Sequence, residues 1–165
     1  MSMKGIETLE QTLDSIRKPS PRILQQWIAE QGLTAEVFKD DVTEPKGLPY
    51  GRTCLFRSNA AEIVLVHLPP GAQTWIHDHG RSIGCALVLE GTLSNCIYGL
   101  DAYGFPQLKK QTALTADEYF HAPRGQIHQM KNNGPLRTVS LHVYAPALAG
   151  THTYYAYEDA LDFVI

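Results

Sequence analysis

Residues 71–91 read GAQTWIHDHGRSIGCALVLEG, and the reading of this stretch decides the fold. Two short runs, TWIHDH and CALVLEG, are separated by Gly80 and closed by Gly91. Runs of this length, apolar or alternating and bounded by glycine, are β-strands joined by tight turns. Within the first run His77 and His79 stand two apart. Side chains at i and i+2 of a strand share a face, so both imidazoles project together and Asp78 points the other way. Such a pair can set two ring nitrogens on one metal ion without distorting the backbone.

Outward from this stretch the period of two continues. CLFR, EIVLVHL, LSNCIYG, EYFHA and LRTVSLHVYA read as further strands, divided by Pro69-Pro70, Gly104, Gly125 and Asn133-Gly134-Pro135. PRGQIHQMKN, ending at Asn132, carries His128 out of a Pro/Gly turn into another strand. Many short strands at this spacing predict an antiparallel sandwich or barrel over residues 50–145, with no stretch long enough for repeated crossover helices. Before it, residues 1–45 read as helical. Ile6, Leu9, Leu13 and Ile16 form one amphipathic stripe. Ser20-Pro21 caps a second helix carrying Ile23, Leu24, Trp27 and Ile28, and Thr34 caps a short third through Val37 and Phe38. These helices are expected to cover one side of the β body. Residues 146–165 form a tail whose aromatics predict that it packs back.

The 165 residues fit one domain, 1–165, and 44% are apolar. With 14 Lys+Arg against 17 Asp+Glu, the chain has no polybasic signal for nucleic acid. Its longest apolar run, Cys85–Leu89, is far short of the roughly 20 residues a membrane-spanning helix needs. Glu7, Glu10 and Asp14 interrupt the N-terminus where a signal peptide would be apolar, so a cytoplasmic location is expected. Cys54, Cys85 and Cys96 are odd in number and form no CxxC pair, which predicts small buried residues and neither a disulfide framework nor a thiolate zinc cluster.

Gly71, His77, His79 and Gly91 resemble the first motif of the cupins, and Pro123, Gly125, His128 and Asn132 resemble their second, P-x-G-x-x-H-x-x-x-N. The resemblance implies an all-β cupin, an antiparallel jelly-roll barrel with an N-terminal helical cover, whose three histidines meet on one metal. Two positions depart from the pattern: Gly84 stands where most cupins have a metal-binding glutamate, and Asp117 where the second motif opens with glycine. Three neutral imidazoles and no carboxylate would leave a divalent ion its full charge and suit an anionic chelating substrate.

More narrowly, YGRTCLFR, IHDHGRSIGCALVLEGTL, IHQMKN and SLHVYAP resemble the cysteine dioxygenases in order and approximate spacing. This resemblance implies Fe(II) held by His77, His79 and His128, with Arg52 on the substrate carboxylate and Tyr50 as a further pocket residue. Tyr144 would reach the bound thiol and oxygen, and Ser140, His142 and Tyr144 would form one series. It also implies addition of both atoms of O2 to the sulfur of L-cysteine, giving the sulfinic acid. The animal enzymes cross-link a cysteine to the tyrosine; here Gly84 occupies that place, as in the bacterial members, so no cross-link is expected, and Cys85 should face the opposite side.

The residues support this chemistry independently. Ser140, His142 and Tyr144 alternate with Leu141, Val143 and Ala145, a polar ladder on one face that must satisfy itself if buried. Arg52 offers a planar fork for a carboxylate. Trp75 and Met130 are pocket wall or core, Arg81 and Ser82 pocket rim or solvated loop, Asp78 a buttress, and His67, His121 and His152 structural. The alternative reading is a dioxygenase for 3-mercaptopropionate or another thiol carboxylate, whose resembling group has glutamine in place of Arg52. More remote are a metal-dependent cupin isomerase and a non-catalytic ligand-binding cupin. A monomer acting on a small thiol and O2 is expected.

Overall fold

The computed structural model describes residues 11–13 and 15–157. Among these residues ten strands follow a short helical region: β1 Gly51–Arg57, β2 Glu62–Leu68, β3 Ile76–His77, β4 Ile83–Glu90, β5 Thr92–Leu100, β6 Pro106–Thr115, β7 Tyr119–Ala122, β8 Ile127–Lys131, β9 Thr138–Ala145 and β10 Thr153–Tyr154. They form two five-stranded sheets ordered β1-β2-β9-β4-β7 and β10-β3-β8-β5-β6, with every pairing antiparallel. The result is the expected all-β double sheet of jelly-roll type behind a helical segment.

The apolar residues divide into two layers by strand phase. Val64, Val66, Leu68, Ala86 and Val88 of the first sheet meet Leu93, Leu114 and Met130 of the second. The intervening residues Ile63, Leu65, Leu87, Leu141 and Val143 point outward and pack with Leu24, Trp27, Ile28 and Phe38. Helical cover on one side and a second sheet on the other explain why β2 and β9 are buried along their whole length. It also places Cys85 in the outer layer, on the opposite face from Gly84, as the alternation predicts.

The helix α1, Pro21–Glu30, begins as the sequence indicates, with the Ser20 side chain accepting from the Ile23 N–H and proline in the first turn. Its stripe Leu24, Trp27 and Ile28 is buried, each side chain contributing about 1.5–3 kcal/mol or more by removal from water. Residues 35–38 form a single 3-10 turn, and here the expectation needs correcting: Thr34 occupies the capping position but its side chain makes no capping bond. Of the first predicted helix, residues 11–13 are helical, while Ile6 and Leu9 lie outside the described residues.

Two further differences from the sequence reading concern strands. β6 was not expected, because PQLKKQTALT lacks an apolar alternation; it is the exposed edge of the second sheet, where one neighbour and a wet face require none. The histidine run is shorter than the sequence suggests, since β3 ends at His77 and His79 lies in the turn beyond it. The tail does pack back as far as it is described: β10 pairs with β3, and Asp78 accepts bonds from the His152 N–H and the Tyr154 hydroxyl. Asp117 takes φ of 69°, the left-handed conformation that glycine usually supplies. Asp is among the few side chains that tolerate it, which accounts for this departure from the second motif. None of the described helices is long and apolar enough to cross a membrane.

Candidate metal centre

Three histidines converge from two strands and a turn. His77 on β3 is the direct cross-strand partner of His128 on β8, and His79 swings in from the turn after β3. Their ligating atoms all lie within 4.8 Å of one another. Their ring centroids are separated by 4.7–5.1 Å. The hydrogen bonds orient two of the rings. His77 Nδ1 donates to the Trp75 carbonyl at 2.7 Å, and His128 Nδ1 donates to Asn95 Oδ1 at 2.8 Å. Each bond fixes the tautomer that leaves Nε2 with its lone pair available, the arrangement by which histidine ligands are usually oriented.

The remaining ring nitrogens test whether a metal fits. His128 Nε2 and both nitrogens of His79 are buried without any hydrogen-bond partner. An unpaired buried polar atom costs about 1–3 kcal/mol, and one cation among the converging rings would satisfy His128 Nε2 and one nitrogen of His79 together. Burial and the neighbouring imidazoles lower His79 to about 4 and His128 well below its ordinary value, so both are neutral, the state a ligand requires. Asp78 is turned away onto the C-terminal segment and contributes no carboxylate. The donor set is therefore three neutral imidazoles, which fit a borderline divalent metal.

Beside them runs an unbroken polar chain. Ser140 Oγ lies 2.8 Å from His142 Nε2, and His142 Nδ1 lies 3.2 Å from the Tyr144 hydroxyl. Burial, reinforced by the neighbouring histidines, lowers His142 to about 3, so its ring is neutral, with one nitrogen donating and the other accepting. Burial raises Tyr144, which is therefore a phenol and a donor. Its ring lies 5.0 Å from that of His79. A Cβ built on Gly84 would come within 2.8 Å of the Tyr144 ring, so glycine is what gives this ring its room. Cys85 is buried on the other side of the sheet and its thiol is pushed up to about 12.

Of these groups His77, His79 and Tyr144 line one cavity of about 480 Å³, together with Tyr50, Arg52, Arg57, Val64, Val66, Trp75, Met130 and residues 148–151. Trp75 and Met130 are thus pocket wall, and Trp75 is half exposed at the rim. Arg52 faces the cavity, but it is not free: its guanidinium donates to Glu62 Oε1 at 2.8 Å. Glu62 is fully buried, and its other oxygen accepts from Arg57 at 2.6 Å and from the Leu148 N–H at 3.1 Å. Sequence reasoning missed Arg57 and Glu62 for a definite reason. Residues 52 and 57 fall on opposite faces of a regular strand, but the register of β1 shifts between Cys54 and Phe56. That bulge places Arg57 opposite Glu62 on the same face as Arg52. Asn95 was legible in principle, since it shares its phase with the core residue Leu93.

The other residues singled out in the sequence lie elsewhere. His67 bonds the Thr43 carbonyl, His121 bonds Gln25 on α1, and His152 pairs with Asp78. A larger groove of about 730 Å³ lies at the β5–β6 turn against Tyr157. Among the described residues its one carboxylate, Asp101, is occupied in holding the turn through the Tyr103 and Phe105 N–H groups, and no ligating cluster of described residues faces it.

Comparison with known proteins agrees with this architecture. The Cupin domain family matches residues 64–144, which run from within β2 to within β9 and include all three histidines. An uncharacterized conserved protein with a double-stranded β-helix domain from Klebsiella pneumoniae is 24% identical with a TM-score of 0.56, covering 70% of this chain and 93% of that one. KdgF from a Halomonas species is 18% identical with a TM-score of 0.52, covering 65% and 90%. An oxalate oxidase solved with the substrate analogue glycolate is 24% identical with a TM-score of 0.50, covering 57% of this chain; the match spans 46% of that longer protein. Likeness at these identities speaks for the fold.

Proposed function

We propose that this chain, a cupin-superfamily protein with a three-histidine cluster able to hold a metal ion, is an iron-dependent thiol dioxygenase that converts L-cysteine and O2 to cysteine sulfinic acid. The observation that carries this reading is a single pocket lined by two histidines of the three-histidine cluster, a buried phenol at the end of a Ser-His chain, and an arginine. His77, His79 and His128 would hold Fe(II). When bound there, Fe(II) supplies the redox chemistry that lets O2 react with a thiol, and both oxygen atoms end on sulfur.

The protein's own residues bind, orient and shield. Arg52 uses the donors not spent on Glu62 to grip the substrate carboxylate, which sets the thiol end toward the histidines. Tyr144, neutral and held from behind by His142, offers a hydrogen bond at the sulfur. Ser140 closes the chain so that none of its polar atoms is left buried and unpaired. Val64, Val66 and Met130 supply the apolar wall that excludes bulk water, and Tyr50 narrows the approach beside Arg52.

A second reading has an observation in its favour. Among the described residues no carboxylate lines the cavity, and Glu62 has both oxygens engaged beneath the arginines, so none of them offers an anion to a substrate ammonium group. A thiol carboxylate without an amine, such as 3-mercaptopropionate, would satisfy the same contacts. The test is anaerobic loading with Fe(II), followed by each thiol under isotopically heavy O2. Two labelled oxygens in the sulfinate support the dioxygenase reading, and the preferred thiol selects between the substrates. Unlabelled product or disulfide alone would overturn it.

A further inference from the structure

Arg52, Glu62 and Arg57 form one electrostatic unit whose parts differ in access to the cavity. Glu62 is sealed from solvent, while the side chains of Arg52 and Arg57 are 35% and 52% exposed. Arg57 is committed on two sides, donating to Glu62 at 2.6 Å and to the Leu148 carbonyl at 2.8 Å. Arg52 makes one bond to Glu62, by a single guanidinium nitrogen, and keeps its other donors. Among the described residues, these two arginines are the only charged side chains lining the cavity.

If Arg52 and Glu62 were alone, the buried carboxylate would cancel the charge of the arginine meant to attract a substrate anion. With Arg57 present, one carboxylate is shared by two guanidinium groups and the unit keeps a single positive charge. We propose that Arg57 is a specificity-determining residue: it neutralises Glu62, so that Arg52 retains its charge for an incoming carboxylate. Arg57 acts through Glu62 and need not touch the ligand, so it is a positioning residue. The register shift in β1 is what brings it to this place, since a regular strand would have carried it to the outer face. The inference rests on the proposed role of Arg52 as the carboxylate anchor, and it does not require that the thiol be oxidised.

The distinguishing variants are Arg57→Gln, Arg57→Lys, Glu62→Gln and the double change Arg57→Gln with Glu62→Gln. The probe is propionate, a carboxylate without a thiol, titrated calorimetrically into the full chain at equal metal content. Arg57→Gln leaves Arg52 cancelled, and the propionate Kd should rise about tenfold, the size expected for losing one partly solvated charge near the site. Arg57→Lys keeps the charge and should stay within about threefold of wild type. The double variant restores the single positive charge and should recover the same affinity, although it lacks Arg57 altogether. That recovery separates charge balance from direct contact and from structural damage. Arg57→Gln binding propionate like wild type, or a double variant as weak as Arg57→Gln, would overturn the proposal, as would wild type that binds no propionate. The outcome is independent of the dioxygenase reading: if the propionate series behaves as expected and no variant oxidises a thiol, that reading fails and this one stands. Should Glu62→Gln not fold, Arg57→Gln against Arg57→Lys still decides between a charge effect and none.

Discussion

Glu62 and Tyr144 stand directly opposite each other on β2 and β9. Cross-strand partners share a face with Cβ atoms about 5 Å apart. One rung of the sheet therefore carries both the carboxylate that holds the arginine pair and the phenol that ends the Ser-His chain. On the proposed function, the distance between the substrate's anchored end and its reacting end would be set by a β-ladder buried on both faces, which has little freedom to drift.

On the proposed function, replacing Arg52 would remove the carboxylate anchor and leave the histidines in place. Arg52→Ala should raise the KM for L-cysteine about 30-fold, the low end of the range for truncating a charged hydrogen-bonded pair because the side chain is partly solvated. Metal content should not change. Arg52→Gln keeps a donor without the charge and should lower L-cysteine turnover more than that of 3-mercaptopropionate. Steady-state kinetics on both thiols, with metal analysis of each protein, checks this.

The phenol should act through its hydroxyl alone. Tyr144→Phe should bind metal like wild type and form sulfinate at least tenfold more slowly, in the range seen when one positioned donor or proton-transfer group is lost. Peptide mapping should find no thioether on Tyr144, since Cys85 faces the outer layer and Gly84 has no side chain. Gly84→Ala should destabilise the fold by about 1–3 kcal/mol, because its Cβ would press on the Tyr144 ring. Denaturant melts and intact mass measure these outcomes.

Asn95 should matter although it touches no substrate. Its Oδ1 accepts from His128 and fixes which ring nitrogen faces the other two histidines. Asn95→Ala should weaken metal binding about 10- to 100-fold, the usual cost of losing a partner behind a ligand. Metal titration of wild type and variant gives the ratio directly.

The buried histidines also predict an acid-sensitive fold. His142 is lowered to about 3 in the folded protein, whereas an unfolded histidine titrates near 6.5. Between those values the unfolded chain binds the additional proton. The stabilisation from this site is thus fully present above about pH 6.5 and is lost as pH falls toward 3. Urea midpoints of the metal-free protein should decline through that window and level off above it. A His142→Gln variant should show a shallower decline.

The legible part of the molecule was the part set by phase. His77, His128, the Ser140–Tyr144 alternation and the opposite faces of Gly84 and Cys85 all follow from a period of two, and the structure places them accordingly. What the alternation hid was produced by its interruptions. The shift in β1 moved Arg57 across the strand, and Glu62 sits in a run apolar on both faces, where phase carries no signal. β6 escaped notice because an edge strand with a wet face needs neither apolar alternation nor a second partner. Asn95 could have been found, as a polar residue in phase with a core leucine.

The most direct measurement of the central claim is simultaneous O2 uptake and product analysis on the anaerobically Fe(II)-loaded protein, given L-cysteine, 3-mercaptopropionate or cysteamine. The account predicts one O2 consumed per sulfinate formed with a thiol carboxylate, L-cysteine foremost, and little turnover of cysteamine, which has no carboxylate for Arg52. O2 uptake that yields only disulfide, or equal turnover of all three thiols, would contradict it.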